Sequence, residues 1–323
     1  TMSSVLASAR CFVHGVILNG DGSGTELKSD PEPNQRLWIH LDYSENDCAD
    51  TLKSLGLPDN IIESLVRVST RPRTLAEKEG FLVFLRAVNL NPGDEPDDMV
   101  SLRVWLEPDR LITVRQRRVY SIQDIRKELD AGKGSKTIHE LFICLVERLA
   151  DRISEYVDNM EEKLAAFEEN VDDFNVSQVR TEVSSLRRQV ASVRRYLAPQ
   201  RDALESFYRL SRNSLEERLV YELHEQTDRT VRYVEDLDLV KERCMVLQEE
   251  LMNLIAQEQN ARMYVLSVVA AIFLPISFVT GLFGMNVAGL PGVEDPTAFI
   301  LVAGSMGTIV VGILLYFKFK RWV

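Results

Sequence analysis

Cysteine and histidine are scarce in this chain, four of each in 323 residues. Cys11, Cys48, Cys144 and Cys244 stand singly without CxxC spacing, so reduced thiols are expected, with neither a disulfide framework nor a zinc knot. His14, His40, His139 and His224 have no His or Cys at i+4, and sequence spacing identifies no zinc site. P-loop, GxSxG and HExxH patterns are all missing, so an enzyme is not expected. The first residues hold no basic segment leading into an unbroken apolar core, and a signal peptide is not expected. Charged side chains are missing from two C-terminal stretches, residues 263–293 and 296–317.

Those two stretches are the most informative feature present. About 20 apolar residues in a helix cross a bilayer core. The chain therefore reads as a membrane protein with a first span at 263–283, a loop at 284–297 and a second span at 298–317. The only charges between the spans are Glu294 and Asp295. Arg262 precedes the first span, while Lys318, Lys320 and Arg321 form a basic tail at 318–323. Positive residues stay on the cytoplasmic side, which places both termini inside and the acidic loop outside, with Tyr316 and Trp322 as interface anchors. The 262 residues ahead of the first span hold 47 acids (49 less 2) and 35 bases (38 less 3), a net charge of −12. Such a domain attracts cations, and nucleic acid is not an expected partner.

The expected fold class is an α+β membrane protein. Residues 1–120 read as a cytosolic α/β domain, with strands at 11–18, 36–43, 80–90, 99–107 and 110–114 and helices at 45–55 and 59–66. Residues 121–199 read as a cytosolic helical region, interrupted near Asp172–Asn175. Pro199 is expected to break the pattern. No proline follows until Pro275, so a stalk helix at 200–262 is expected to run without a break into the first span.

Two apolar seams run along that helix. Leu237, Val240, Cys244, Leu247, Leu251 and Leu254 alternate by three and four residues. Met252, Ala256, Gln259, Met263, Leu266, Ala270, Leu274 and Ser277 form a second stripe, rotated from the first. A helix with two such faces packs on its own chain and on neighbours, although one broad face in a monomer gives a similar pattern. Two helices cannot enclose a polar path through a bilayer, so transport would need several copies, a self-assembled oligomer in the lipid bilayer.

Within the spans there is no Cys, His, Asp, Glu, Lys or Arg. A path that stripped and rebound zinc would need imidazole, thiolate or carboxylate, and a proton relay would need intramembrane acid or imidazole. Ser277, Thr280, Asn286 and backbone carbonyls remain, neutral oxygens suited to an ion that keeps much of its water. Span hydroxyls also serve helix packing. Met263, Leu266, Ala270, Leu274, Ser277 and Thr280 are the pore-lining candidates. Pro275 frees a carbonyl near Ala271. Gly284 is expected to permit a turn and Asn286 to offer its side-chain carbonyl at the outer mouth, with Met285 between them. Glu294 and Asp295 would attract cations there.

Gly284-Met285-Asn286 after Pro275 and Phe283, the two-span hairpin and the basic tail together resemble the CorA superfamily of divalent cation transporters, over essentially the whole chain. Within it the chain resembles the ZntB zinc-transporter branch. Val287-Ala288-Gly289-Leu290-Pro291-Gly292 follows here, where magnesium-type members typically carry an MPEL-like sequence. The resemblance implies a homopentameric funnel, with first spans lining the pore, second spans outside, and Asn286 and the neighbouring glycine at the entrance. It implies transport of largely hydrated divalent cations, zinc first, with proton coupling, no permanently bound cofactor, and a plasma-membrane location, the inner membrane in a Gram-negative cell. A CorA-type magnesium, cobalt or nickel channel is the alternative, and a membrane-anchored scaffold is the alternative of another class. Glu249 and Glu250 are candidate regulatory metal ligands among several acidic pairs, including Glu161-Glu162, Glu168-Glu169 and the 94–98 segment; such pairs are usually solvated faces.

Overall fold

Short runs rich in Val, Ile, Leu, Phe and Trp form one seven-stranded sheet in the computed structural model, which describes residues 2–68, 70–169, 176–292 and 294–319. The strands are β1 (Phe12–Leu18), β2 (Gly24–Glu26), β3 (Arg36–Asp42), β4 (Arg73–Ala76), β5 (Phe81–Ala87), β6 (Val100–Leu106) and β7 (Arg110–Arg115). Their order across the sheet is β2-β1-β3-β7-β6-β5-β4. β3 and β7 pair in parallel and every other pair is antiparallel. The helices are α1 (Met2–Ser8), α2 (Cys48–Ser54), α3 (Asp59–Val66), α4 (Tyr120–Asp130), α5 (Ile138–Glu169), α6 (Val176–Ser211), α7 (Glu217–Phe283) and α8 (Ala298–Phe319). The chain divides into two units, Thr1–Gln248 and Glu249–Val323.

The first unit is layered, with helices on both faces of the sheet. Leu6, Leu52, Ile61 and Leu65 from α1, α2 and α3 share one core with Ile39, Phe84, Trp105 and Ile112. On the other face Ile122, Leu129, Phe142 and Phe207, from α4, α5 and α6, pack with Val16, Trp38, Val104 and Leu111. Covering both faces explains why β6 is buried along its whole length, Ser101 and Arg103 included. Leu237, Val240, Cys244 and Leu247 on α7 are buried, as their three-and-four spacing requires.

The stalk expected to start at Gln200 starts later. α6 passes through Pro199 and ends at Ser211, and α7 begins at Glu217. A proline inside a helix costs roughly 3 kcal/mol. Here Val190, Val193 and Leu197 before it, and Ala203, Leu204 and Phe207 after it, are buried. Burial worth about 1.5–3 kcal/mol for each large side chain outweighs the lost hydrogen bond. The neighbouring Gln200 adds a tether, its Oε1 accepting from the Arg86 amide at 2.6 Å. The chain turns instead at Arg212-Asn213-Ser214. The Ser211 hydroxyl donates to the Phe207 carbonyl at 2.7 Å, and the Ser214 amide donates to the Ser211 carbonyl at 2.9 Å. The interruption expected near Asp172–Asn175 lies outside the described residues.

In the second unit, α7 stays helical through Pro275 to Phe283 and α8 runs Ala298–Phe319. Both are long and apolar enough to cross a membrane. Lys320, Arg321 and Trp322 of the basic tail lie outside the described residues.

Candidate functional site at the membrane hairpin

Half-buried positions recur on one side of each membrane helix. On α7 they are Tyr264, Val268, Ala271, Ile272, Pro275, Ile276 and Val279; on α8 they are Val302, Met306, Val310, Ile313 and Phe317. The Tyr264 and Phe317 rings meet edge-on, with centroids 6.3 Å apart, so these two stripes face one another. At 3.6 residues per turn, Met263, Leu266, Ala270, Leu274, Ser277 and Thr280 lie about 180° around α7 from that stripe. All six are exposed, Met263 at 61% and Leu274 at 76%. The sequence-predicted lining is therefore the face of α7 turned away from α8.

The hydroxyls on this helix are partly committed to it. Thr280 Oγ1 lies 3.0 Å from the Ile276 carbonyl and 3.1 Å from that of Ser277, and its proton serves them. Ser267 Oγ donates to the Met263 carbonyl at 2.8 Å. A hydroxyl whose proton points back into the helix leaves its lone pairs outward, an acceptor for a cation or its water.

Gly284 closes the helix through its amide, which donates to the Thr280 carbonyl at 2.9 Å. The chain turns at Gly284 as expected, with no positive φ there; in this loop the described residues with positive φ are Gly289 (φ 102°) and Gly292 (φ 83°). A Cβ at 284 would sit 3.0 Å from the Thr280 carbonyl oxygen, a tight approach that glycine avoids. Met285 is exposed, and its amide reaches the Leu282 carbonyl at 3.4 Å. Asn286 is exposed and its side chain makes no hydrogen bond among the described residues, so its amide caps nothing.

Glu294 and Asp295 are both exposed, and they border a shallow concavity with Val287, Gly289 and Leu290. Their roles differ. Asp295 Oδ1 accepts from the Thr297 amide at 2.9 Å and from its hydroxyl at 2.8 Å, fixing the entry to α8. Those two bonds hold the Asp295 carboxyl below the usual range. Glu294 has no such structural tie among the described residues.

The acidic metal candidates outside the hairpin are not gathered. Glu249 and Glu250 are exposed on α7, and among the described residues no three or more His, Cys, Asp or Glu form a metal-holding group. Other acids of these pairs answer arginines: Asp94 and Asp98 both bind Arg117, at 3.2 and 2.7 Å, and Glu168 binds Arg243. Glu161 is raised above the usual range, first by burial and then by Asp236 and Asp158.

One pairing escaped the sequence altogether. His14 of β1 stands opposite His40 of β3, with ring centroids 5.0 Å apart. His40 Nδ1 lies 2.8 Å from Thr113 Oγ1, which also accepts from Trp38 Nε1 at 2.9 Å. The contact depends on strand register between residues 26 apart. An i+4 search cannot find it.

Comparison with known proteins identifies the family. The sequence matches the family described as "CorA-like Mg2+ transporter protein" over residues 33–321. It is 38% identical to the divalent cation transporter CmaX of Pseudomonas aeruginosa, covering 97% of both chains. Identity to the zinc transport protein ZntB of Yersinia enterocolitica is 32%, covering 96% of both. The full-length CmaX structure superposes with a TM-score of 0.82 at 37% identity, covering 98% of this chain and 99% of the other. The CorA magnesium transporter of Methanocaldococcus jannaschii shares the fold, with a TM-score of 0.81 at 18% identity over 96% and 99% of the two chains. A match over most of the length, carried by a sheet domain, a long helix and two apolar C-terminal helices, identifies the family: the chain belongs to the CorA-like Mg2+ transporters.

Proposed function

We propose that this protein carries divalent metal cations across the plasma membrane, zinc first, through a pore on the axis of a homopentamer. α7 lines that pore and α8 stands outside it, with both termini cytoplasmic. The observation that carries the reading is the α7 face opposite α8. It has no charged side chain, it offers outward hydroxyl oxygens, and it leads to an uncommitted Asn286. One hairpin cannot wall off a polar path, so that face must meet copies of itself. Neutral oxygens bind a largely hydrated divalent ion loosely enough to release it, which conduction requires. No bond is made or broken in this reading, and the metal is cargo rather than cofactor. Zinc takes precedence because ZntB relatives are named for it and the chain lacks an MPEL-like sequence. Magnesium is the second reading, favoured by the description of the matched family.

Proteoliposomes test both parts of the reading. Zinc uptake should exceed magnesium uptake at equal concentration, and a pH gradient applied in the same assay reports proton coupling. In Ser277→Cys, a water-soluble thiol reagent should block uptake, while Val268→Cys, on the α8-facing side, should resist it. Uptake of neither metal would reject transport. Equal block at both cysteines would reject the pore assignment.

A further inference from the structure

A cavity of about 350 Å³ is lined from β1, β3, β7 and α4, well away from the membrane helices in sequence. Four of its side chains are cationic, Arg115, Arg118, Arg126 and Lys127, and none is a carboxylate. Among the described residues, Arg115 alone of the four has an acidic partner, Asp42 at 2.8 Å. Arg118, Arg126 and Lys127 form no ion pair among the described residues. Other arginines of this unit that have acids in reach do pair with them, as Arg110 does with Glu107 and Arg148 with Glu128. α4 itself turns Asp124 away to Arg152, at 2.6 Å. In a chain of net charge −11, three unpaired cations around one cavity leave an anion-shaped electrostatic gap.

The floor of the cavity points the same way. His14 is only 9% exposed, and its Nε2 has no hydrogen-bond partner. Its ring lies edge-on to Trp38 at 4.7 Å. Burial, followed by Arg126 and Arg115, drives the His14 pKa down to about 3, so the imidazole is neutral and keeps one N–H to donate. Buried polar atoms without partners are rare and mark a missing ligand or water. Val13, Val119 and Ile122 supply an apolar wall.

We propose that this cavity binds a small organic phosphate of about mononucleotide size, its phosphate held by Arg118, Arg126 and Lys127 and its body lying against the apolar wall above His14. A phosphate monoester carries a charge of roughly −1.5 to −2 at pH 7 and three acceptor oxygens. It matches three cations better than a carboxylate does, and guanidinium groups take it in bidentate fashion. The volume lies at the low end of the ~300–1,000 Å³ typical of ligand sites, which suits a mononucleotide-sized ligand.

Calorimetric titration of the full-length, detergent-solubilised protein with AMP, inorganic phosphate and adenosine tests the proposal. AMP should bind saturably and quench or shift the fluorescence of Trp38. Inorganic phosphate should compete with it, and adenosine should bind at least tenfold more weakly. The Arg118→Gln/Arg126→Gln double variant should bind AMP at least tenfold more weakly with an unchanged melting temperature. Should that variant fail to fold, Lys127→Gln, at an exposed position, should still weaken AMP binding severalfold. Four outcomes would overturn the proposal: no saturable binding of AMP, phosphate binding without AMP binding, adenosine binding as tightly as AMP, or undiminished binding in the folded variants.

Discussion

The amide of Gly284 donates to the carbonyl of Thr280 at 2.9 Å, and a methyl group on residue 284 would lie 3.0 Å from that same oxygen. The hydrogen bond brings the two backbones together and the missing side chain allows it. Gly284→Ala should force the Thr280 carbonyl to give by a few tenths of an ångström, moving the last turn before Asn286. We expect a drop of about 1–3 kcal/mol in stability and at least a tenfold fall in metal uptake. Uptake and melting temperature both at wild-type level would show that the close approach has no role.

Asn286 carries the sharper prediction, because its exposed amide makes no bond within the chain. Asn286→Ala should abolish flux while the oligomer assembles with an unchanged mass and melting temperature. Surviving transport, or an oligomer that falls apart, would remove Asn286 from the entrance.

Glu294 and Asp295 should separate on mutation. Glu294→Gln should lower uptake mainly at low ionic strength, since an exposed charge is screened beyond about 10 Å at 0.1 M salt. Asp295→Asn should also loosen the start of α8, because Oδ1 accepts two bonds from Thr297. The Asp295 carboxyl is depressed, so whatever it stabilises is fully present above the usual aspartate value near 3.9 and is lost only as pH falls through its lower folded value. Its contribution should therefore be flat between pH 5 and 8. An equal loss for Glu294→Gln at every salt concentration would mean direct ligation.

Acid should weaken the sheet domain through its buried histidines. His14 is held neutral down to about pH 3, and His40 lies well below its usual value, first by burial and then by His14. The unfolded chain takes up those protons near pH 6.5 and the folded chain does not. Stability is thus complete above about 6.5 and falls as pH drops toward the folded value, by on the order of 1–2 kcal/mol per histidine between pH 6.5 and 5. Melting temperatures at pH 7.5 and 5.0 should differ less in His14→Gln than in the wild type. An identical difference would clear His14 of the effect.

Much of this was legible in the sequence, for reasons particular to each element. β3 and β7 start at Arg36 and Arg110 as expected, because their apolar runs are long and fully covered, and α3 spans Asp59–Val66 as read. β2 and β4 were missed, being three and four residues long and largely exposed at the sheet edges. Pro199 misled because local propensity was overruled by the packed face of α6. The end of α7 at Phe283 was readable from the glycine that follows it, and helical period alone puts Met263, Leu266, Ala270, Leu274, Ser277 and Thr280 on one exposed face. The His14–His40 pair was not, since strand register is a property of the assembled sheet.

The parallel pairing of β3 with β7 has a further consequence, for the order of events on the ribosome. Residues 43–109 separate the two strands, and the bond from Trp38 to Thr113 closes a separation of 75 residues. The β5–β6–β7 meander is local and can form as it emerges, whereas the β1–β3 hairpin has no central neighbour until β7 has been made. Until then the nascent chain exposes the unpaired edge of β3, which makes that interval the one most open to misassociation.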